Sequence, residues 1–179
     1  MNMSEKFKFK HTKFDGLYII AYSCFNDARG KLTKYFQKDI KLFNQITVDD
    51  VYTTFSKENV VRGMHHQINE FGQAKYITCL AGEFWDIAID LRPQSKTFKE
   101  VFTHKLACDR LESILIPAGF SHGTYSLSDA TLMLSVCSGK YIPDQESGIS
   151  MESLGLPFYS PRAIVSVKDS TLLGIEEFK

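Results

Sequence analysis

The chain has 179 residues, 44% hydrophobic and 23% charged, enough to bury one sizeable core and of a length that argues for a single domain over residues 1–179. Its 21 basic and 21 acidic side chains cancel, so no whole-molecule field gathers nucleic acid or an anionic membrane, and any phosphate must be held by local arginines and lysines. No apolar run approaches the roughly 20 residues that span a bilayer. The N-terminus has no signal-peptide pattern, and Cys24, Cys79, Cys108 and Cys137 are too widely spaced for a CxxC site, so a cytoplasmic chain with reduced thiols is the expectation.

Along the chain, Lys6, Lys8, Lys10 and Lys13 interleave with Phe7, Phe9 and Phe14, the pattern of an edge strand or an arm. Leu17 to Tyr22 is a β-rich run, followed by the turn-like Asn26-Asp27-Ala28-Arg29-Gly30. Leu32, Tyr35, Phe36, Ile40 and Phe43 fit one helical face with no proline inside, which predicts a short helix near residues 32–43. Beyond it the helical period gives way to short β-rich runs at 51–55, 75–80, 83–91, 99–107, 113–116, 123–127 and 131–137. Ala81-Gly82, Arg92-Pro93, Pro117-Ala118-Gly119 and Ser138-Gly139 punctuate them at intervals that suit a double-sheet barrel, so the fold class is mainly β. Residues 144–162 look irregular, with Pro157 and Pro161, and 163–167 reads as a last strand. No repeat or Pro/Gly/Ser-rich linker marks a second domain.

Two segments carry chemistry. In Val61-Arg62-Gly63-Met64-His65-His66-Gln67, strand alternation sends His65 and Gln67 to one face and Met64 and His66 to the other, so only one of the adjacent histidines enters a pocket. In Ile116-Pro117-Ala118-Gly119-Phe120-Ser121-His122-Gly123, the PxGxxH turn that delivers a histidine from the start of a strand into a barrel is a cupin signature. Taken alone, a histidine on the inward face of a barrel serves as a hydrogen-bonded core residue at least as often as it serves as a base.

Several ordered blocks, from about Gly16 to Asp169, resemble the dTDP-4-dehydrorhamnose 3,5-epimerase family. They are Asp27-x-Arg29-Gly30, Arg62-Gly63-Met64-His65-x-Gln67, Lys75 before a strand, and Gly82-Glu83-Phe84-x-Asp86-x-Ala88-x-Asp90-Leu91-Arg92. Ser95-x-Thr97-Phe98, Ile116-Pro117-x-Gly119-Phe120-x-His122-Gly123, Tyr141-x-Pro143-x-x-Glu146-x-Gly148-Ile149 and Ser166-x-Lys168-Asp169 complete the set. The resemblance implies a cupin-type double-stranded β-helix, or jelly roll, that works as a homodimer without metal or cofactor. Its substrate would be a nucleotide-diphosphate sugar, a 4-keto-6-deoxy sugar epimerised for deoxysugar and cell-surface polysaccharide synthesis.

The implied roles follow the chemistry. A hydrogen beside a ketone is removable only when a base takes the proton and a cation or donor steadies the enolate oxygen. His65 is the implied base, Lys75 the enolate stabiliser, and Asp169 the carboxylate that orients the imidazole. Arg29, Arg62 and Lys168 would hold the diphosphate, while Gln67, His122, Glu146 and Tyr141 would line the sugar pocket. Trp85 looks like core or interface.

Two places depart from the family. Aromatic residues and a glutamate that read the base are replaced by Lys31, Leu32 and Lys34, which argues against a clear preference for dTDP over CDP or GDP. The family's general-acid tyrosine falls at Ser135, a shorter and far less acidic hydroxyl than a phenol of pKa about 10. That departure favours inversion at one carbon, C3, and keeps a binding-only cupin open as a rival. A metal-dependent cupin is a weaker rival, because such sites want an HxH pair on one strand face and His65 and His66 are adjacent.

Overall fold

The computed structural model describes residues 7–37, 43 and 46–178. Among them run thirteen strands: β1 (Phe7–His11), β2 (Tyr18–Tyr22), β3 (Cys24–Asp27), β4 (Gly30–Thr33), β5 (Asp50–Ser56), β6 (Val61–Gln67) and β7 (Lys75–Ala81), then β8 (Glu83–Asp90), β9 (Val101–Ala107), β10 (Glu112–Ile116), β11 (Phe120–Ser126), β12 (Thr131–Cys137) and β13 (Glu146–Gly148). A six-stranded sheet has the order β1-β2-β10-β7-β12-β5, a five-stranded sheet the order β13-β6-β11-β8-β9, and β3 and β4 form a separate ribbon. The strands pair antiparallel throughout, and neighbours such as β2 and β10 are far apart in the chain, the mark of a jelly roll. The architecture is the mainly β, double-sheet cupin fold that the punctuated β-rich runs predict.

Period-2 alternation decides what lies between the sheets. Ile77, Cys79, Ile114, Ile116 and Met133 from the larger sheet meet Phe84, Ala88, Phe102, Leu106 and Phe120 from the smaller one in a buried core. The outer face of the larger sheet is covered by Tyr35, Phe36, Phe43 and Ile46 packing on Phe7, Tyr22, Tyr76 and Val136. The outer face of the smaller sheet is covered by the C-terminal segment, with Leu156, Phe158, Tyr159 and Phe178 against Met64, Ile87, Ile89 and Tyr125. Trp85 belongs to this layer, stacked on Phe158 at 4.4 Å. Both sheets are thus covered on their outer faces, and one end of the space between them is left for polar groups.

Three expectations are corrected. Of the predicted helix at 32–43, Leu32 and Thr33 pair with Phe25 and Cys24 in the β3–β4 ribbon, and residues 34–37 have no regular structure. Residues 38–42 lie outside the described residues. The spacing of Tyr35, Phe36 and Phe43 serves to lay a covering segment on a sheet, and among the described residues there is no α-helix. The predicted strand at 163–167 shrinks to an isolated bridge between Ile164 and Val60, because only the Ile164 N–H and C=O reach the β6 end of the smaller sheet. Within the stretch expected to be irregular, residues 146–148 form β13 against β6. Among the described residues no helix is long and apolar enough to cross a membrane.

Candidate active site

Past the apolar core, the inward-facing positions turn polar. Along β7 the series Cys79, Ile77, Lys75 leads out of the core, and along β12 the series Met133, Ser135, Cys137 runs beside it, with Cys137 paired to Lys75 and Ser135 to Ile77. On the next strand Tyr52 pairs with Ser135. The facing wall comes from β6, which brings His65 beside His122 of β11, and from β13, which sets Glu146 beside Gln67. The resulting cleft has two lobes of about 290 and 300 Å³, and Tyr52, His65 and Lys75 line both. Gln67, Tyr141 and Glu146 complete the first lobe; Arg62, His122, Lys168 and Asp169 complete the second.

The centre of this wall is an oriented imidazole. His65 Nε2 lies 2.7 Å from Asp169 Oδ1. An ionised carboxylate only accepts, so Nε2 carries the proton and Nδ1 is left with its lone pair. The second carboxylate oxygen accepts the Gly63 N–H at 3.1 Å, and the Asp169 N–H donates to Ser166 Oγ at 3.0 Å, so both the side chain and the backbone of Asp169 are fixed. Gly63 has φ +91°, and a Cβ there would sit 2.6 Å from the His122 carbonyl oxygen, so the close approach of β6 and β11 requires glycine beside the histidine. His65 Nδ1 is 3.6 Å from Glu146 Oε1, too long for a hydrogen bond.

Glu146 is itself held. Its Oε2 accepts from the Tyr141 hydroxyl at 2.7 Å and from Lys168 Nζ. Burial pushes its pKa up, but the bonds from Lys168 and Tyr141 outweigh burial and keep the carboxyl ionised below the usual range. The Tyr141 phenol is raised by donating to that carboxylate. Across the cleft, burial pushes the pKa of Lys75 down, opposed by Cys137, Glu146 and Asp86, and Lys75 makes no ion pair among the described residues. A buried amine with no ion pair among the described residues suits an oxyanion that develops in front of it.

The remaining predicted site residues divide. His122, buried, bonds Asp86 Oδ2 through Nε2 at 2.8 Å. Arg62 lines the second lobe with Nε on Ser56 Oγ and Nη2 on the Phe55 carbonyl. Gln67 lines the first lobe, but both ends of its amide are engaged: Oε1 accepts the Ile142 N–H at 2.7 Å and Nε2 donates to the Lys140 carbonyl at 3.1 Å. It therefore fixes the loop that carries Tyr141. The His66 ring turns toward Ser121 Oγ and the edge of Phe178, although the residue also borders the first lobe, and burial, with Lys75 and His65 nearby, pushes its pKa down to about 4.

Arg29 is not brought to the cleft. It lies on the ribbon, 89% exposed, paired with Asp27, over a surface depression formed by ribbon residues, including Lys31 and Leu32. Arg29 lines that depression and neither lobe of the cleft. Asp86 and Ser166 stand in the family blocks without a role of their own, and Tyr52 is the neighbour that residue patterns did not single out. Alternation along 50–56 places Tyr52, Thr54 and Ser56 on one face, but the identity of the strand beside them is a tertiary fact. Among the described residues, no group of three or more His, Cys, Asp or Glu is arranged to hold a metal ion.

A jelly roll whose mouth holds a histidine fixed by a buried carboxylate, opposite a lysine with no ion pair among the described residues, has the fold of the cupin-type isomerases and groups suited to moving protons. A family profile described as dTDP-4-dehydrorhamnose 3,5-epimerase matches residues 11–177. The enzyme of that name from Methanothermobacter thermautotrophicus is 34% identical over 146 residues, covering 80% of this chain and 78% of the relative. The one from Escherichia coli is 30% identical over 175 residues, 93% of each chain. The crystal structure of a dTDP-6-deoxy-D-glucose-3,5-epimerase from Legionella pneumophila in complex with dTDP-4-keto-L-rhamnose superimposes with a TM-score of 0.89 at 27% identity, over 97% of this chain and 95% of that one. The chain belongs to the dTDP-4-dehydrorhamnose 3,5-epimerase family and is a sugar-nucleotide epimerase, an isomerase of deoxysugar biosynthesis.

Proposed function

We propose that this chain inverts C3 of a dTDP-4-keto-6-deoxy sugar, with His65 Nδ1 removing the proton next to the ketone. The observation that carries the reading is the His65–Asp169 pair at 2.7 Å on one wall of a cleft whose other wall presents Lys75. In this reading Asp169 keeps the proton on Nε2, so Nδ1 is the accepting nitrogen, and Glu146 steadies the imidazolium. Lys75 steadies the enolate oxygen at C4. Arg62 and Lys168 take the diphosphate at the second lobe, and His122 and Tyr141 bound the sugar. The serine at 135 is the reason to expect one centre and not two. Incubation with dTDP-4-keto-6-deoxyglucose, reduction of the product and sugar analysis test this reading: a C3 epimer supports it, and unchanged sugar contradicts it.

Homodimerisation belongs to the same reading. In this reading Arg29, which lines neither lobe of its own cleft, serves the diphosphate in a partner's, and the ribbon that carries it joins neither sheet and leaves Leu32 56% exposed. The edge strand β5 presents Val51 and Phe55, 54% and 60% exposed, on the same larger sheet. A second copy would cover these groups and receive Arg29. We place the protein in the cytoplasm, in keeping with its free cysteines, two of them buried.

A further inference from the structure

Inversion at carbon needs two groups, one to take the proton from one face and one to return a proton to the other. His65 stands on the smaller sheet, so the donor has to stand on the larger one. There Ser135 is buried, and its hydroxyl has no hydrogen-bond partner of good geometry among the described residues. A serine in this place is too short to span the cleft. Directly beside it, in register on β5, is Tyr52. Alternation puts its ring on the inward side with Thr54, and it lines both lobes together with His65 and Lys75.

We propose that Tyr52 is the proton donor to the enolate carbon, so that the phenol missing from β12 is supplied by the neighbouring strand. The inference rests on the C3-epimerase reading above. Although Tyr52 is 40% exposed as a residue, its hydroxyl turns inward, 4.0 Å from the Sγ of Cys137, the residue paired with Lys75. The donor oxygen thus lies on the Lys75 side of the cleft, opposite the imidazole. Burial of that hydroxyl, reinforced by Cys137, pushes its pKa up to about 12, so the phenol is protonated when the enolate forms. The other phenol of the cleft, Tyr141, is committed to Glu146 on the histidine wall, the wrong side for inversion. The step balances. Nδ1 of His65 takes the C3 proton while the C–H electrons become the enolate held by Lys75. The enolate electrons then take the Tyr52 proton on the far face, breaking O–H and leaving a phenolate. Imidazolium and phenolate return to their starting forms by exchange with water.

The test is Tyr52→Phe, assayed on dTDP-4-keto-6-deoxyglucose carrying deuterium at C3. Loss of that deuterium reports the base step and the C3 epimer reports inversion. Tyr52→Phe is expected to lose deuterium within about tenfold of the wild-type rate while forming the epimer roughly 10²–10⁴-fold more slowly. The double variant Tyr52→Phe, Ser135→Tyr, which returns the phenol to β12, is expected to recover at least tenfold of the inversion. Inversion by Tyr52→Phe at the wild-type rate overturns the role of Tyr52 and leaves the epimerase reading in place. An equal loss of both readouts in a variant with wild-type circular dichroism also overturns it, because a packing role would do that. A wild-type protein that releases no deuterium and forms no epimer overturns both.

Discussion

Replacing Asp169 by asparagine changes one atom and reverses the polarity of the site. The Gly63 N–H, 3.1 Å from Oδ2, requires an oxygen at that position. The amide nitrogen is therefore turned toward His65, 2.7 Å away at the old Oδ1 position, where it donates and forces the imidazole to carry its proton on Nδ1. The nitrogen proposed to accept the substrate proton is then blocked. The lost charge adds to the effect: at 2.7 Å and an effective dielectric of about 20, the imidazolium–carboxylate attraction is about 6 kcal/mol before screening. His65 is 27% exposed, and allowing solvent half of that leaves about 3 kcal/mol, or about 10²-fold. With the tautomer penalty the total is roughly 10³–10⁴-fold, the scale of such changes in histidine–carboxylate pairs generally. The assay is loss of deuterium from the C3-labelled sugar nucleotide, with thermal unfolding as the control for structure. An asparagine variant that is correctly folded and within tenfold of wild type would refute the orientation argument.

Four further outcomes follow from the same geometry. His66 has a pKa of about 4 in the fold against 6.5 when free, so neutral His66 contributes stability above pH 6.5 that is lost as pH falls toward 4, about 3 kcal/mol in all. Urea titrations at pH 7.5 and 4.5 should show a smaller loss for His66→Gln than for wild type, and equal losses would contradict the burial of a neutral ring. With Lys31 and Leu32 on the ribbon and Lys34 just past it, free dTDP is expected to bind within about tenfold of CDP and GDP in calorimetric titrations; a hundredfold preference would show that the base is read elsewhere. Light scattering should give about twice the 20.4 kDa chain mass, and Arg29→Ala should raise KM with little change in kcat; a monomer of full activity would remove the case for Arg29.

Much of the fold is written in local pattern. The runs at 51–55, 75–80 and 131–137 match β5, β7 and β12 to within a residue at each end, because their β-branched and aromatic residues favour the extended chain and Gly82 and Ser138-Gly139 stop the last two. The described part of the 32–43 stretch departs from the helical reading for a physical reason: Tyr35, Phe36 and Phe43, spaced as on a helical face, lie on a sheet from outside. The short β13 is invisible because its three residues are ordered by β6 and not by their own propensity. The same division holds in the site. The placement of His65 and His66 on opposite faces follows from alternation alone. The meeting of His65 with Asp169, 104 positions away, follows only from family spacing, and the pairing of Tyr52 with Ser135 follows from neither, since strand order is set by the packed whole.

The central claim is that His65 takes a proton from the carbon beside the ketone. The most direct measurement is incubation of wild type and His65→Gln with dTDP-4-keto-6-deoxyglucose in deuterated water, followed by proton NMR of the sugar. Wild type should place deuterium at C3 and leave C5 protonated, and His65→Gln should place none at either carbon on the same timescale. Deuterium entering C3 as fast with His65→Gln as with wild type would contradict the claim.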